Sequence, residues 1–362
     1  MNTRKTAKAI WLRRNENSKK LPNTIKERGK GVQSDTMVNH EQNRNNYISI
    51  RCKTACNPVR GRFPYRWDLN VYRGCDHGCR YCFAMYTHRY MVGSDSTSFF
   101  RTVYKKENIA EQLEKQLSSP KWNGDVINLG GITDNYQPWE AENGLMTQVL
   151  EILLKYRNPC IISTKSDLIL RDFDLIDQLS RMTYVNIAST ITCTDSLLAA
   201  ELEPGAVSPE RRFSMLKEFS KTSAVTGVHS MPLIPFLTDN PENLESLYGG
   251  ASFCGAKYLL PGFLYLKGDT RQSFFDYLFQ YHPQLVAPMN RLFTDREAYK
   301  QHRIPAYREI RRLAVKYRMT SDYMKEVRRR MNAGKSCFAQ NCGCKFVRGD
   351  EGEQLDFFSL NV

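Results

Sequence analysis

Apolar positions along this chain follow two alternating rhythms. Short runs rich in β-branched residues cover 69–72, 126–129, 160–163, 184–189, 225–231 and 256–260, which is the length and composition of buried strands. Between and after them, apolar residues recur at helical spacing over 108–117, 146–156, 172–180, 209–221, 240–248 and 270–281. Such strict alternation of strand and helix predicts an α/β protein with a parallel sheet and right-handed crossovers. The units stop short of a closed eightfold ring, so a partial (β/α)6 barrel of the TIM type fits better. A doubly wound open sheet would give the same periodicity, which leaves that choice open.

Outside these units the pattern changes. Residues 1–55 are polar and aperiodic, the signature of a flexible basic segment. The barrel is expected over 56–295. A basic helical extension that also carries cysteines follows over 296–348, with its helical character setting in after Pro305, and an acidic tail covers 349–362. In a barrel the chemistry sits in the loops after the strand C-termini, and the unusual residues of this chain fall there. A cysteine loop follows the first strand, 130–134 the second, 163–166 the third, 189–195 the fourth and 231–235 the fifth.

The chain has 362 residues, 41% of them hydrophobic, enough for one large core with appended tails. No apolar run approaches the roughly 18–20 residues of a membrane span, and the first residues lack an apolar stretch with a small-residue cleavage site. A cytoplasmic protein without membrane contact is expected. The net charge of +14 is concentrated at the ends: +7 within residues 1–50 and +11 within 296–348, with −4 in the last stretch and a neutral middle. In the basic extension Arg308, Arg311, Arg312, Lys316, Arg328, Arg329 and Arg330 stand out. Two basic ends on a neutral body suit a nucleic-acid partner, although a solvated helix face has the same composition.

Eleven cysteines are many for a compartment where disulfides are rare, and point to metal binding or inert burial. Cys75, Cys79 and Cys82 lie in YRGCDHGCRYCF, a C-x3-C-x2-C spacing on one tight loop. Three thiolates so placed can each bind one iron of a 4Fe–4S cubane and leave the fourth iron without a protein ligand. Gly74 and Gly78 let the loop curl. The alternative is a zinc site completed by His77, Cys52 or Cys56, because a structural zinc takes four protein ligands.

The cysteine loop, the following THRY, and then GGITDNYQPWE, STKSDLILRD, TITCTD, LEP, SPERR and MPLIP resemble the radical S-adenosylmethionine (SAM) family that includes spore photoproduct lyase. The resemblance runs from about Cys56 to Ile310. It implies a partial TIM barrel, a cluster held by Cys75, Cys79 and Cys82 with SAM on its open iron, a 5′-deoxyadenosyl radical, and a reductant such as flavodoxin or ferredoxin. It further implies a SAM pocket. Tyr81 would pack on the adenine side, Gly130 and Gly131, with Thr133 and Asp134 alongside, would meet the amino group, and Ser163 and Lys165 would lie at the third strand's end. The ammonium of Lys165 there would meet the SAM carboxylate or a substrate phosphate. Ser189 and Thr190 would reach the ribose, and Arg212 would serve as a carboxylate or ion-pair partner.

One departure matters. Spore photoproduct lyases carry a hydrogen-donating cysteine in the second-strand motif, where this chain has Gly131. The nearest substitutes on the barrel mouth would be Cys193 and Tyr136.

At the C-terminal end, Cys337, Cys342 and Cys344 form a candidate second metal site. Gln354, Leu355, Asp356, Phe357 and Phe358 resemble the short peptide by which bacterial repair proteins bind the sliding clamp. The expected function is a radical SAM reaction, lyase- or repair-like, on DNA or another nucleic acid. The competing readings are the same chemistry on a peptide or small molecule, and a zinc-stabilised nucleic-acid-binding protein without catalysis.

Overall fold

The computed structural model describes residues 46–59, 63, 65–90 and 96–323. The expectations for Arg328, Arg329 and Arg330, for Cys337, Cys342 and Cys344, and for Gln354 through Phe358 lie outside these residues. The described strands are β1 (Asn46–Ile50), β2 (Asn57–Pro58), β3 (Trp67–Leu69), β4 (Tyr72–Arg73), β5 (Thr102–Lys106), β6 (Ile127–Leu129), β7 (Cys160–Thr164), β8 (Val185–Thr190), β9 (Val225–Leu233) and β10 (Tyr258–Phe263). The large sheet has the order β2-β3-β6-β7-β8-β9-β10. Its pairs from β3 to β10 are all parallel, and the short β2 runs antiparallel on the edge.

This order settles the choice that periodicity left open. Each parallel strand lies beside its predecessor in the chain, with no reversal of direction across the sheet. A doubly wound fold reverses at a switch point. A singly wound parallel sheet curls as a barrel wall, here partial because β3 and β10 do not pair.

Alternation along the strands sorts their side chains into two layers. Leu69, Ile127, Leu129, Ile162, Ile187 and Leu259 face outward into one core with Val149, Leu150, Ile176, Leu216 and Leu247 from the helices. Each fully buried side chain of this kind contributes about 1.5–3 kcal/mol. Ile161, Tyr184, Val225, Tyr258 and Leu260 face inward, and with Tyr323 they form a separate cluster that floors the barrel.

The helices start where local chemistry allows. The Asp195 side chain accepts from Leu197 and Leu198 amides at the head of Ser196–Leu202. Asn240 caps Pro241–Phe253, with proline in the first turn, where its missing N–H costs nothing.

Three features differ from expectation. The first strand ends at Leu69, and Tyr72–Arg73 turns away into a second, small sheet ordered β1-β5-β4. The turn is made by Asn70, whose Oδ1 accepts from the Ile132 and Thr133 amides, and by Asn135, whose Oδ1 accepts from the Val71 amide. Residues 46–50, placed by composition in the flexible basic segment, form β1 against β5. The last described helix runs Arg296–Lys316 with Pro305 inside it, so it begins ahead of the proline. Pro305 is exposed and forfeits one backbone bond, while Ala306, Ile310 and Leu313 bury the opposite face.

Candidate functional site

The cysteine loop leaves β4 at the mouth of the barrel. Gly74 has φ +81°, and a Cβ there would lie 2.3 Å from the Thr102 carbonyl oxygen, so only glycine lets the loop pass this close to β5. The Cys75 amide donates to Phe99 O at 2.9 Å and the Cys82 amide to Cys79 O at 3.1 Å. On its other side the loop rests on residues 203–205. The Gly205 amide donates to His77 O at 2.9 Å, and His77 Nδ1 bonds Gly205 O at 2.9 Å.

Cys75, Cys79 and Cys82 are all free thiols. Burial raises the pKa of each, that of Cys79 to about 12, while Lys165 works in the opposite direction on Cys79 and Cys82. Three thiols of this kind on one loop fit an iron–sulfur cluster, since metal coordination supplies the deprotonation that burial resists. Among the described residues no three Cys, His, Asp or Glu groups gather on one ion. Of the residues that could complete a zinc site, His77 has its imidazole already engaged. His77 is bonded to Gly205 and lies 3.2 Å from Asp134. The backbones of Cys52 and Cys56 are clasped by the Asn108 and Gln116 side chains.

Behind the loop lies a charged group. Arg212 donates to Glu203 Oε2 and to the carbonyls of Val207 and Thr190. Tyr81 donates its hydroxyl to the other Glu203 oxygen. Burial alone would raise the Glu203 pKa, but Arg212, Lys165 and the Tyr81 hydroxyl outweigh it and hold the carboxylate below its usual range. The half-buried Lys165 ammonium stands 6.0 Å from the Tyr81 ring centroid, with no ion pair among the described residues. Burial disfavours its charge, but Cys79, Glu203 and Asp134 together raise its pKa.

The other expected residues are placed as follows. Gly130, at φ +91°, sits against Ser163, whose carbonyl oxygen would lie 2.8 Å from an added Cβ. Asp134 is saturated: Oδ1 accepts from the Tyr136 amide and the Thr164 hydroxyl, Oδ2 from the Lys165 amide. Burial opposes its charge, yet His77 and Lys165 hold its pKa well below the carboxylate range. Asp134 thus ties the cysteine loop to the end of β7. The Thr133 hydroxyl is spent on Asn70 and Tyr72 O, and the Ser189 hydroxyl on Thr164 O. Thr190 presents its carbonyl to Arg212.

The two hydrogen-donor candidates do not meet the mouth as expected. Tyr136 is fully buried in the outer core, its hydroxyl bonded to Asp172 at 3.0 Å. Cys193 is buried with its sulfur on Asp195 O. At Gly131 an added Cβ would lie 2.3 Å from Asp68 Oδ1, so a carboxylate fills the space beside the second-strand turn.

Sequence reasoning missed Asp68, Glu203 and His229. Asp68, Asn128, Asn186 and His229 all lie on the inner face of the sheet, at positions alternating with the outward apolar residues. Polar residues at every second place in parallel strands, which ordinarily read as continuous apolar runs, were the available signal. On the basic extension, Arg312 and Lys316 pair with Glu245 of the helix Pro241–Phe253 and so tie Arg296–Lys316 to it, while Arg312 also pairs with Glu309 within its own helix. Arg308 and Arg311 remain exposed.

Against known proteins, the model of the radical SAM superfamily matches residues 69–247. An uncharacterized protein of Mycobacterium bovis is 34% identical over 284 residues, which is 76% of this chain and 82% of the relative. An uncharacterized protein of Methanocaldococcus jannaschii is 28% identical over 257 residues, 70% of this chain and 89% of the relative. Among solved structures, a double mutant of spore photoproduct lyase with bound AdoMet and dinucleoside spore photoproduct superposes with TM-score 0.51 and 12% identity, covering 69% of this chain and 72% of that one. A single mutant of the same enzyme has TM-score 0.50 at 13% identity, covering 76% and 78%. These likenesses show the partial barrel.

Proposed function

The chain belongs to the radical SAM superfamily, whose enzymes work with a 4Fe–4S cluster and SAM, and from that membership we propose a lyase- or repair-like reaction on nucleic acid. Cys75, Cys79 and Cys82 hold the cluster in this reading, and Lys165, with Gly130 and Gly131 nearby, faces the methionine end of SAM. When bound, the cluster and SAM supply a 5′-deoxyadenosyl radical for hydrogen abstraction. The chain's own part is to bury the loop, to fix Tyr81 through Glu203 and Arg212, and to keep at the end of β7 an ammonium that has no ion pair among the described residues.

The observation that carries the reading is that one loop at the end of a singly wound sheet bears Cys75, Cys79 and the half-buried Cys82 as free thiols, with the Lys165 charge felt by the last two. For the substrate, the support is the excess of Lys and Arg at both ends of the chain and the fold shared with spore photoproduct lyase, one structure of which holds a dinucleoside lesion. No described helix is long and apolar enough to cross a membrane.

The test has two arms. Anaerobic reconstitution with iron and sulfide should give about four irons per chain and, with dithionite, 5′-deoxyadenosine from SAM. Duplex and single-stranded DNA should be retarded with an affinity that falls steeply as salt rises. Loss of the first result removes the cofactor assignment. A failure to retard DNA at any salt concentration moves the substrate to a peptide or small molecule.

A further inference from the structure

Both peptide groups that flank Cys75 are held from outside the loop. The Gly74 carbonyl accepts from Gln137 Nε2 at 3.3 Å, and the Asp76 amide donates to Gln137 Oε1 at 3.1 Å. Between them the Cys75 amide donates to Phe99 O at 2.9 Å. Each peptide group is planar, so a residue keeps only two soft backbone dihedrals between its neighbouring planes. The plane before Cys75 is tied at its oxygen and its nitrogen, and the plane after it at its nitrogen. Little backbone freedom is left. The Cys75 sulfur itself accepts from the Asp134 and His77 amides, so the direction of the side chain is set as well.

Gln137 is suited to this by burial and by its own anchorage. It is fully buried, and its carboxamide fits in only one orientation, because a backbone N–H donates and a carbonyl accepts. Its own amide donates to Asp134 O at 3.3 Å, and its carbonyl accepts from the Glu140 amide at 2.9 Å. The residues after it grip the chain that enters the loop. Trp139 lies against Tyr47 and Tyr72, with ring centroids 4.4 and 5.8 Å away. Glu140 accepts from the Tyr72 hydroxyl at 2.6 Å, and the Tyr47 hydroxyl donates to Asp76 Oδ2 at 2.9 Å. The run Gln137-Pro138-Trp139-Glu140 is thus a clamp on residues 72–76.

Resting on the assignment of Cys75 to the cluster, we propose that Gln137 is a positioning residue for the cofactor: its carboxamide holds the backbone on both sides of Cys75, so that this sulfur is presented to the metal in one direction. Gln137 acts through Cys75 and is not itself a ligand. An apolar side chain at 137 would leave the Gly74 carbonyl and the Asp76 amide without this partner in a buried setting, and the loop would relax to satisfy them. Residues that orient a metal ligand in this way govern metal retention by about 10- to 100-fold.

The test follows iron release from the reconstituted full-length chain to an excess of ferrous chelator, without oxygen. Gln137→Met keeps the length of the side chain and removes both bonds, and should release iron about tenfold faster than the wild type. The electron paramagnetic resonance spectrum of its reduced cluster with SAM should also shift. Leu247→Ala, which opens a cavity in the outer core, controls for lost stability and should keep both wild-type readings. A wild-type release rate or an unchanged spectrum in folded Gln137→Met overturns the proposal. Equally fast release from both variants overturns it too, and reduces Gln137 to a contributor to general stability. Where Gln137→Met does not fold, hydrogen exchange at single-residue resolution on the loaded wild type decides. The Asp76 amide should exchange slowly, and fast exchange there overturns the clamp. A wild-type chain that assembles no cluster overturns the cofactor assignment on which the proposal rests.

Discussion

Arg212 and Glu203 form an ion pair closed off from water, each side chain 1% exposed. Arg212 lies on the helix Pro209–Phe219 and Glu203 just after Ser196–Leu202, so the pair locks two helices to the wall behind the cysteine loop. Removing one partner leaves a buried charge without compensation, at a cost of about 3–5 kcal/mol. Arg212→Met and Glu203→Gln should each lower the urea midpoint by that equivalent, and the double variant should lose less than the sum. Because the folded pKa of Glu203 lies below its unfolded value of 4.5, its stabilisation is present above pH 4.5 and is lost as pH falls through the folded value. The stability gap between wild type and Glu203→Gln should therefore narrow when urea titrations are run progressively below pH 4.5.

In the proposed reading Cys79→Ala removes one cluster ligand, and it takes only a single sulfur from the packing around Tyr81, Leu202 and Ile234. Iron content and the violet-region absorption band should fall sharply, and 5′-deoxyadenosine production should disappear. Far-UV circular dichroism should stay as in the wild type. Undiminished SAM cleavage in this variant would count decisively against the ligand assignment.

Lys165→Met keeps the length of the side chain and deletes its charge. If the ammonium faces the SAM carboxylate, it loses a charge-assisted bond of about 1.5–3 kcal/mol. Calorimetry on the cluster-loaded enzyme should then show SAM affinity reduced by roughly 10- to 100-fold. Wild-type affinity in a well-folded variant would return Lys165 to a loop lysine.

Gly131→Ala drives a methyl group into Asp68, whose carboxylate is held by Asn70 and Asn128 and cannot swing away freely. Overpacking of this kind costs about 1–3 kcal/mol. The thermal midpoint should drop, and Asp68→Ala in the same chain should recover most of the loss. Equal effects of Gly131→Ala in both backgrounds would show that the two residues do not meet.

The parts of this molecule that were legible in the sequence are those whose cause is local. The cysteine loop reads directly because its three cysteines and its two glycines lie within a few residues of each other. The alternation of strand and helix reads because each element carries its own period. The small sheet did not, since β5 (TVYKK) is largely polar and β1 lies in a stretch of low hydrophobicity. Val71 and Tyr72 looked like a continuing strand because they are apolar, but they bury into the outer core after the Asn70 turn. Pro305 read as a boundary because its lost bond is local, whereas the burial of Ala306, Ile310 and Leu313 that outweighs it is tertiary. Glu203 stood within the LEP motif without a role for a related reason: it acquires one only where Tyr81, 122 residues away, reaches its carboxylate.

The bridge between Tyr258 and Thr320, with the Leu259 amide donating to Thr320 O at 3.0 Å, means that the last strand of the wall is not a bare edge. The chain returns past the helix Arg296–Lys316 to cap that edge with its own backbone. Trimming the protein at residue 318 to remove the basic end would uncap β10 and expose unpaired amides to neighbouring molecules, an invitation to edge-to-edge stacking. Light scattering should show such a truncate self-associating at concentrations where a chain ending at residue 323 stays dispersed.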